Sequence, residues 1–183
     1  MIETNLTAFN VAQLLKEPIG STRVYDVVAL LDSDEAAVAQ VEPLLGKVRM
    51  LRTNRGILVE STLTGEVIVP CSRCLTSIQV PVTLDVEEEF QPTIDVVRGT
   101  YLKFEEEDSA LLINDQHILD LEEVLRQALL LALPMQVLCR QDCGGLCPIC
   151  GRDRNVESCD CDTAEIDARW QDLSVLLSEL DTQ

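Results

Sequence analysis

The residues best suited to chemistry in this chain are its eight cysteines, and their spacing makes them informative. Cys71 and Cys74 are separated by two residues, and the other six cysteines lie between residues 139 and 161. A C-x2-C run followed by glycine, as Cys150 is by Gly151, is typical of a zinc knuckle, because glycine lets the turn close beneath the metal without a Cβ clash. Eight thiolates would complete two tetrahedral four-cysteine sites. The predicted zinc ligands are Cys71, Cys74, Cys139, Cys143, Cys147, Cys150, Cys159 and Cys161.

Four disulfides are the alternative use of eight cysteines, and the redox compartment decides between the two. Disulfides are typical of small secreted domains that cannot build an adequate core, whereas this chain has 183 residues of which 46% are hydrophobic. Residues 1–5 show neither the basic region nor the apolar stretch of a secretory signal, and no apolar run is long enough to span a bilayer. We therefore expect a cytoplasmic protein with no membrane association, whose reduced thiols bind two zinc ions.

The sequence leaves two ways of distributing the cysteines between the metal ions. In the first, one ion is bound by Cys147, Cys150, Cys159 and Cys161, and the other by Cys71, Cys74, Cys139 and Cys143. In the second, the two C-x2-C pairs share one ion in the manner of a zinc ribbon. Either way one site joins segments that are far apart in the chain, so metal binding and folding are expected to be coupled.

Charge is the second constraint on function. The chain has 14 Lys and Arg against 32 Asp and Glu, a formal net charge of −18, and two filled four-thiolate sites would deepen this to about −22. Such an acidic body is repelled by nucleic acid as a whole and suits a basic partner protein. The acidic runs 87–89 and 105–108, taken singly, are typical of solvated faces.

The basic residues are not spread evenly along the chain. Lys47 and Arg49 are two residues apart and would share one face of a strand, while Arg140, Arg152 and Arg154 accompany the C-terminal cysteines. If the cysteine regions meet at a metal, these clusters would form one basic patch. The candidate RNA or phosphate contacts are Lys47, Arg49, Arg52, Arg55 and Arg73. Arg73 would either point its guanidinium at RNA from a rigid knuckle or pair with the thiolate and carboxylate charge nearby.

Patterning predicts that the first half of the chain is rich in β-structure. The strand candidates, which contain many β-branched residues, are 23–31, 47–53, 56–64, 66–69 and 78–90. Between residues 80 and 90 the even positions are mostly apolar and the odd ones mostly polar, which indicates one buried face. Residues 52–56 predict a hairpin turn, and Asn10 is expected to cap a short helix that Pro18 ends.

A leucine-rich helix is predicted after residue 118. Asp120 can cap it, Glu123 would complete a capping box and Pro134 stops it. The apolar residues at helical spacing are Leu121, Val124, Leu125, Ala128, Leu129 and Ala132, widened by Leu130, Leu131 and Leu133. We expect burial of this helix under the sheet. A terminal helix capped by Asp167 is predicted to dock its apolar stripe on the protein's own core.

These elements predict an α+β fold. It would consist of an N-terminal antiparallel β-rich domain with a buried leucine-rich helix, a C-terminal cysteine-rich zinc module and a terminal helix. The predicted division is a β-rich region with the first cysteine pair (1–92), an acidic mobile connection (93–117), and the helix, cysteine module and terminal helix (118–183). We expect all three parts to behave as one cooperative unit.

No catalytic site can be assembled from the sequence. A catalytic zinc keeps an open position and often uses histidine ligands, yet the only histidine, His117, lies in no ligand motif. The deaminase pattern, a thioredoxin-like dithiol at a helix start and a glycine-rich phosphate loop are also missing. We therefore expect neither an enzyme nor a small-molecule substrate.

The order of these motifs resembles the YceD family. The likeness is carried by residues 70–75 after a β-rich half, the helix ending in Leu133-Pro134, the run 138–151, and Cys159-Asp160-Cys161 with residues 166–170 after it. Members are described as large-subunit ribosomal RNA accumulation proteins. The resemblance implies a process, ribosome assembly or rRNA accumulation, rather than a reaction, and it transfers no catalytic residue.

Taken together, these observations favour a non-enzymatic factor in accumulation or maturation of large-subunit (23S) rRNA. Its partner would be a basic ribosomal protein, large-subunit rRNA, or both. The alternative is a redox-sensing zinc chaperone whose zinc is expelled when its thiols oxidise, because C-x-C near C-x2-C occurs in such switches. A zinc-ribbon transcription factor is disfavoured by the net charge.

Overall fold

The computed structural model describes residues 5–31, 39–40, 42–102 and 109–161, and its elements confirm an α+β fold. The strands are β1 (Ala8–Asn10), β2 (Thr22–Ala29), β3 (Ala39–Gln40), β4 (Leu44–Arg52), β5 (Ile57–Pro70), β6 (Ser77–Pro92), β7 (Leu112–Ile113) and β8 (Ile118–Asp120). The helices are α1 (Ala12–Lys16) and α2 (Glu122–Ala132), with a short 3-10 helix at Ser109–Leu111.

Within the described residues, the larger sheet has six strands and is almost entirely antiparallel. Its order is β2-β4-β5-β6-β7, and β3 pairs with β5 past the end of the β4 pairing. The β6–β7 pairing is parallel, while β1 and β8 form a separate antiparallel pair. The predicted strands 56–64 and 66–69 are one continuous strand, because Gly65 stays in register opposite Val82.

Strands β5 and β6 form a long hairpin whose tip carries the first cysteine pair. The register runs from Ile57 opposite Phe90 to Pro70 opposite Ser77, which is roughly 40 Å of paired strand at about 3.3 Å per residue. Buried residues alternate along both strands, as the sequence pattern predicted for β6. The hairpin tip and the β4–β5 turn therefore lie at opposite ends of the sheet.

Helix α2 packs against β6 and closes the core on that side. Val124, Leu125 and Leu129 are buried, which confirms a buried leucine-rich helix. Leu131, however, is 86% exposed, so the burial expected for that leucine is wrong. The side of the helix that carries Leu131 faces solvent, since an 11-residue helix lying on a sheet buries only one stripe.

The observed ends of α2 can be compared with the start and stop residues predicted from the sequence. Asp120 Oδ1 accepts a hydrogen bond from the Glu122 N–H at 3.0 Å, but the N-cap position itself is Leu121, which has no side-chain cap hydrogen bond. Asp120 therefore marks the start of the helix from one residue before the N-cap, not from the predicted cap position itself. Glu123 does not complete a capping box, because its carboxylate accepts hydrogen bonds from Arg126 and from Gln127 (2.9 Å) instead. The helix ends at Ala132, where the chain becomes extended ahead of Pro134.

The remaining predictions have mixed outcomes. Asn10 Oδ1 accepts the Ala12 N–H at 3.1 Å, and α1 ends two residues before Pro18 as expected. The predicted helix from Asp167 lies outside the described residues, and the three-part division of the chain stays a prediction. No helix in the described part of the chain has the length and apolarity needed to cross a membrane.

Candidate metal centre

Two groups of four cysteine sulfurs form in the folded chain, and within each group all Sγ atoms lie within 4.8 Å of one another. In the first, Cys71 Sγ is 3.9 Å from Cys143 Sγ, and Cys74 Sγ is 3.7 Å from Cys139 Sγ. Tetrahedral zinc with Zn–S bonds of about 2.3 Å holds its sulfurs about 3.8 Å apart. Site A is Cys71, Cys74, Cys139 and Cys143; site B is Cys147, Cys150, Cys159 and Cys161. The structure thus adopts the first of the two groupings, and the zinc-ribbon pairing does not form.

Site A joins the tip of the β5–β6 hairpin to the segment that follows α2. The Ser72 N–H donates to the Val137 carbonyl at 2.8 Å, and the Leu146 N–H donates to the Arg73 carbonyl at 3.1 Å. Leu138, Ile78 and Leu146 pack around the buried sulfurs. These contacts hold two distant parts of the chain together at the four thiols, so an ion there would fasten the sheet to the C-terminal module.

The first knuckle, residues 71–76, is a tight turn that favours a thiolate at its first cysteine. The Cys71 N–H donates to the Thr76 carbonyl at 2.8 Å, and the Leu75 N–H donates to the Cys71 carbonyl at 3.0 Å. The backbone N–H groups of Cys74 and Arg73 donate to Cys71 Sγ and lower the pKa of that thiol to about 6. The turn therefore prepares an anionic sulfur, the form that binds a metal.

The second knuckle, residues 147–152, repeats this geometry. The Cys147 N–H donates to the Arg152 carbonyl at 2.8 Å, and the Gly151 N–H donates to the Cys147 carbonyl at 2.9 Å. The backbone N–H groups of Cys150 and Ile149 lower the pKa of Cys147 to about 6. Gly151 has φ +74°, a left-handed conformation that favours glycine, although a Cβ there would meet no neighbouring atom within 4 Å, so the expected clash is absent.

The donor sets of both sites fit a divalent metal ion. Desolvation and the neighbouring sulfur of Cys143 raise the pKa of Cys139 to about 12, and the sulfur of Cys150 does the same for Cys161. Four sulfurs at this spacing cannot all be ionised without a cation, because each thiolate opposes the ionisation of the next. A soft divalent ion would balance that charge, and zinc is the usual ion for four cysteine ligands.

Asn155 supports site A, although sequence reasoning did not identify it. Its Nδ2 donates to Cys143 Sγ at 3.4 Å, while its Oδ1 accepts the Gly144 N–H at 2.8 Å and the Arg140 guanidinium at 2.7 Å. Groups that hydrogen-bond to ligand atoms orient them toward the metal. A lone asparagine among cysteines and glycines gives no sequence signal of this role.

Lys47 and Arg49 share an exposed face of β4, as predicted, but both are paired with acidic residues. Arg49 Nη1 lies 2.6 Å from Glu60 Oε2 across the β4–β5 pair, and Lys47 Nζ lies 3.9 Å from Asp26 Oδ1 across the β2–β4 pair. Each cation is therefore locally neutralised.

The other three basic candidates are divided between the two ends of the sheet. Arg52 donates from Nη1 to the Gly56 carbonyl at 2.8 Å, and partial burial lowers its pKa. Arg55 is exposed in the same turn. Arg73 lies at the far tip of the hairpin, where its guanidinium donates to the Cys143 carbonyl at 3.0 Å. The five residues do not form one patch, since roughly 40 Å of strand separates the two groups.

Arg73 instead lies near the C-terminal arginines. Gly145 contacts Arg73, and its carbonyl accepts the Arg154 N–H at 2.9 Å. The fold therefore brings the backbones of Arg73 and Arg154 close together beside site A.

Comparison with known proteins identifies a family that includes this chain. Residues 59–177, which include all eight cysteines, match the sequence model of the family described as "Large ribosomal RNA subunit accumulation protein YceD". The chain is 30% identical over 177 residues to uncharacterized protein Rv2926c of Mycobacterium tuberculosis, covering 94% of this chain and 83% of that protein. It is 27% identical over 154 residues to uncharacterized protein YlbN of Bacillus subtilis, covering 82% of each. No solved structure matches significantly. The chain belongs to the YceD family, whose name ties it to accumulation of the large ribosomal RNA subunit.

Proposed function

We propose that this protein is a cytoplasmic, zinc-stabilised, non-enzymatic factor in the accumulation or maturation of 23S rRNA. Family membership is the observation that carries the proposal, because the matched region extends from β5 through both cysteine groups. The family name gives the process alone. The metal, the partner and the absence of catalysis are the parts that we add.

A structural role for zinc is supported by the donor sets. Each group offers four thiolates, which saturate a tetrahedral zinc ion and leave no position for water or substrate. Site A draws its ligands from the hairpin tip and from the segment after α2, so its ion would hold the module in a fixed orientation on the sheet. A rigidly oriented module suits a binding protein, whereas hydrolytic zinc chemistry requires an open coordination position on the metal.

The partner is inferred from charge. A chain with a net charge of −18 attracts a basic ribosomal protein and repels most of an rRNA surface. Contact with rRNA would be confined to local cations such as Arg55, which is exposed and forms no ion pair with a described residue. We therefore place a basic protein of the large subunit first among the partners and rRNA second.

Deletion of the gene tests the proposal. The ratio of large-subunit to small-subunit rRNA is expected to fall, and the wild-type chain should restore it. Cys71→Ser should not restore it, because site A loses a buried ligand, whereas Leu131→Ala should, because that side chain is exposed. An unchanged rRNA ratio and a normal subunit profile in the deletion strain would contradict the proposal.

A redox-sensing zinc chaperone remains the second candidate, and one observation favours it. Each site has one exposed cysteine, Cys139 in site A and Cys150 in site B, which gives an oxidant access to both sites. Four of the other cysteines are buried, which protects them. The peroxide experiment in the Discussion separates the two candidates.

A further inference from the structure

The two knuckles have the same backbone geometry but carry different residues at one equivalent position. Leu75 follows Cys74 as Gly151 follows Cys150, and each donates its N–H to the carbonyl of the first cysteine of its knuckle. Both residues are left-handed, with φ +62° for Leu75 and φ +74° for Gly151. The first knuckle therefore has a leucine where the second has the residue that such a turn favours.

Leucine is a poor choice for this conformation. A left-handed residue with a Cβ is strained, and bulky side chains are rare there, while glycine adopts it freely. Burial of the side chain could offset this strain energetically, yet the Leu75 side chain is 63% exposed. Strain that packing does not offset is typical of a residue kept for contact with another molecule.

We propose that Leu75 is the apolar contact through which the hairpin tip binds a basic protein of the large ribosomal subunit. This rests on the proposed function and names the surface and the class of partner. An ion at site A would hold the tip in place, because Cys71 and Cys74 are both among its ligands. An apolar side chain on a rigid turn binds with little loss of conformational freedom.

The surroundings of Leu75 favour a protein over RNA. Four thiolates with one bound divalent ion would give site A a charge of about −2, on a chain that is already strongly acidic. Arg73, two residues before Leu75, donates its guanidinium to the Cys143 carbonyl, which fixes that side chain against site A. Phosphate would be repelled here, whereas an apolar pocket with a rim of lysine and arginine would match both the side chain and the charge.

Two substitutions distinguish the contribution of the Leu75 side chain to binding from the effect of its strained backbone. Leu75→Ala removes the apolar contact but keeps a Cβ in the left-handed conformation, while Leu75→Gly removes both. Both variants should keep the wild-type zinc content. We expect Leu75→Ala to melt at the wild-type temperature and Leu75→Gly to melt at that temperature or about 2–4 °C above it.

Binding is measured with the full, zinc-loaded chain against two separate probes. One is the RNA-free protein fraction stripped from purified large subunits, and the other is protein-free 23S rRNA. Both Leu75 variants should bind the protein fraction at least about tenfold more weakly than wild type, as expected for loss of a buried leucine contact. Leu131→Ala, which removes another exposed leucine, should bind like wild type.

Four results would overturn the inference: equal binding of the protein fraction by wild type and both variants, no binding of that fraction by wild type, weaker rRNA binding caused by the Leu75 changes, or zinc lost from both variants. Loss of self-association in the variants would assign the leucine to a second copy of this chain instead. None of these outcomes alters the rRNA ratio of the deletion strain, so the proposed function is tested independently.

Discussion

Gly145 lies directly against Arg73, and this contact joins the first knuckle to the segment that precedes the second. A Cβ at Gly145 would be 3.2 Å from the Arg73 carbonyl oxygen and 3.4 Å from Arg73 Cβ. The same carbonyl accepts the Leu146 N–H, and the Gly145 carbonyl accepts the Arg154 N–H. Gly145 also has φ +68°, so its conformation favours glycine, and the hairpin tip leaves little room for a Cβ.

Gly145→Ala should therefore destabilise the protein more than Gly151→Ala. Both alanines would be left-handed, at a cost of about 1–2 kcal/mol each. At Gly145 the contact with Arg73 adds about 1–3 kcal/mol, while a Cβ at Gly151 meets nothing within 4 Å. Thermal unfolding of the zinc-loaded variants measures the difference. Equal losses would mean that the hairpin tip and the cysteine module do not meet at Gly145.

The two sites should differ in what their loss does to the fold. Cys71→Ser and Cys159→Ser are each expected to lower the zinc content from about two ions per chain to about one. Cys71→Ser should cost more stability, by about 2 kcal/mol from loop closure alone, because site A joins Cys74 to Cys139 whereas site B closes a short loop. Metal analysis and chemical unfolding measure the two effects. A single zinc in the wild type would contradict the two-site assignment.

The fold could be predicted where local pattern and tertiary environment agree. The alternation from Val80 to Phe90 places the buried face of β6 correctly, and Asp120 and Pro134 mark the ends of α2. The pairing of β1 with β8 could not be predicted, since such short strands carry no periodicity. The exposure of Leu131 depends on how the helix lies on the sheet, which a leucine-rich pattern does not specify.

The cysteine groups could be predicted only in part. Spacing identified the eight sulfurs and Gly151, but it left two groupings open, because a long-range site depends on where the hairpin tip lies in space. The geometry that selects site A comes from contacts such as Ser72 with Val137, which no spacing reveals. Likewise, Arg73 was grouped with Arg55 because they are near in sequence, whereas a long antiparallel hairpin places them at opposite ends.

Leu125→Ala and Leu131→Ala should separate the two sides of α2. Leu125 is fully buried, so truncation should cost about 2–5 kcal/mol through lost burial and a cavity. Leu131 is 86% exposed, and its truncation should stay within about 0.5 kcal/mol. Urea unfolding of the two variants checks the helix orientation. Comparable losses would mean that the helix presents a different face to the sheet.

Zinc should be retained when the protein is exposed to mild peroxide. Cys71, Cys74, Cys143 and Cys147 are buried, and thiolates that are bound to zinc in a packed module react slowly. A chromogenic zinc chelator follows zinc release over time. A reagent that modifies cysteine thiols, and so releases all bound zinc, is the positive control. Rapid release of zinc together with a gain of holdase activity would favour the redox-sensing chaperone over the ribosomal factor.

Arg55 should be the phosphate contact of the β4–β5 turn if the protein touches 23S rRNA. The backbone N–H of Arg55 donates to Thr53 Oγ1 at 3.2 Å within the turn, and the Arg55 side chain is exposed. Arg55→Ala should weaken association and reduce the slope of log K against log salt by about one unit. Arg49→Ala is the matched control, because Arg49 is already paired with Glu60 at 2.6 Å and should contribute little to the slope. Fluorescence anisotropy with labelled rRNA across a salt series measures both slopes. An unchanged slope for Arg55→Ala would remove this turn from the RNA-binding surface.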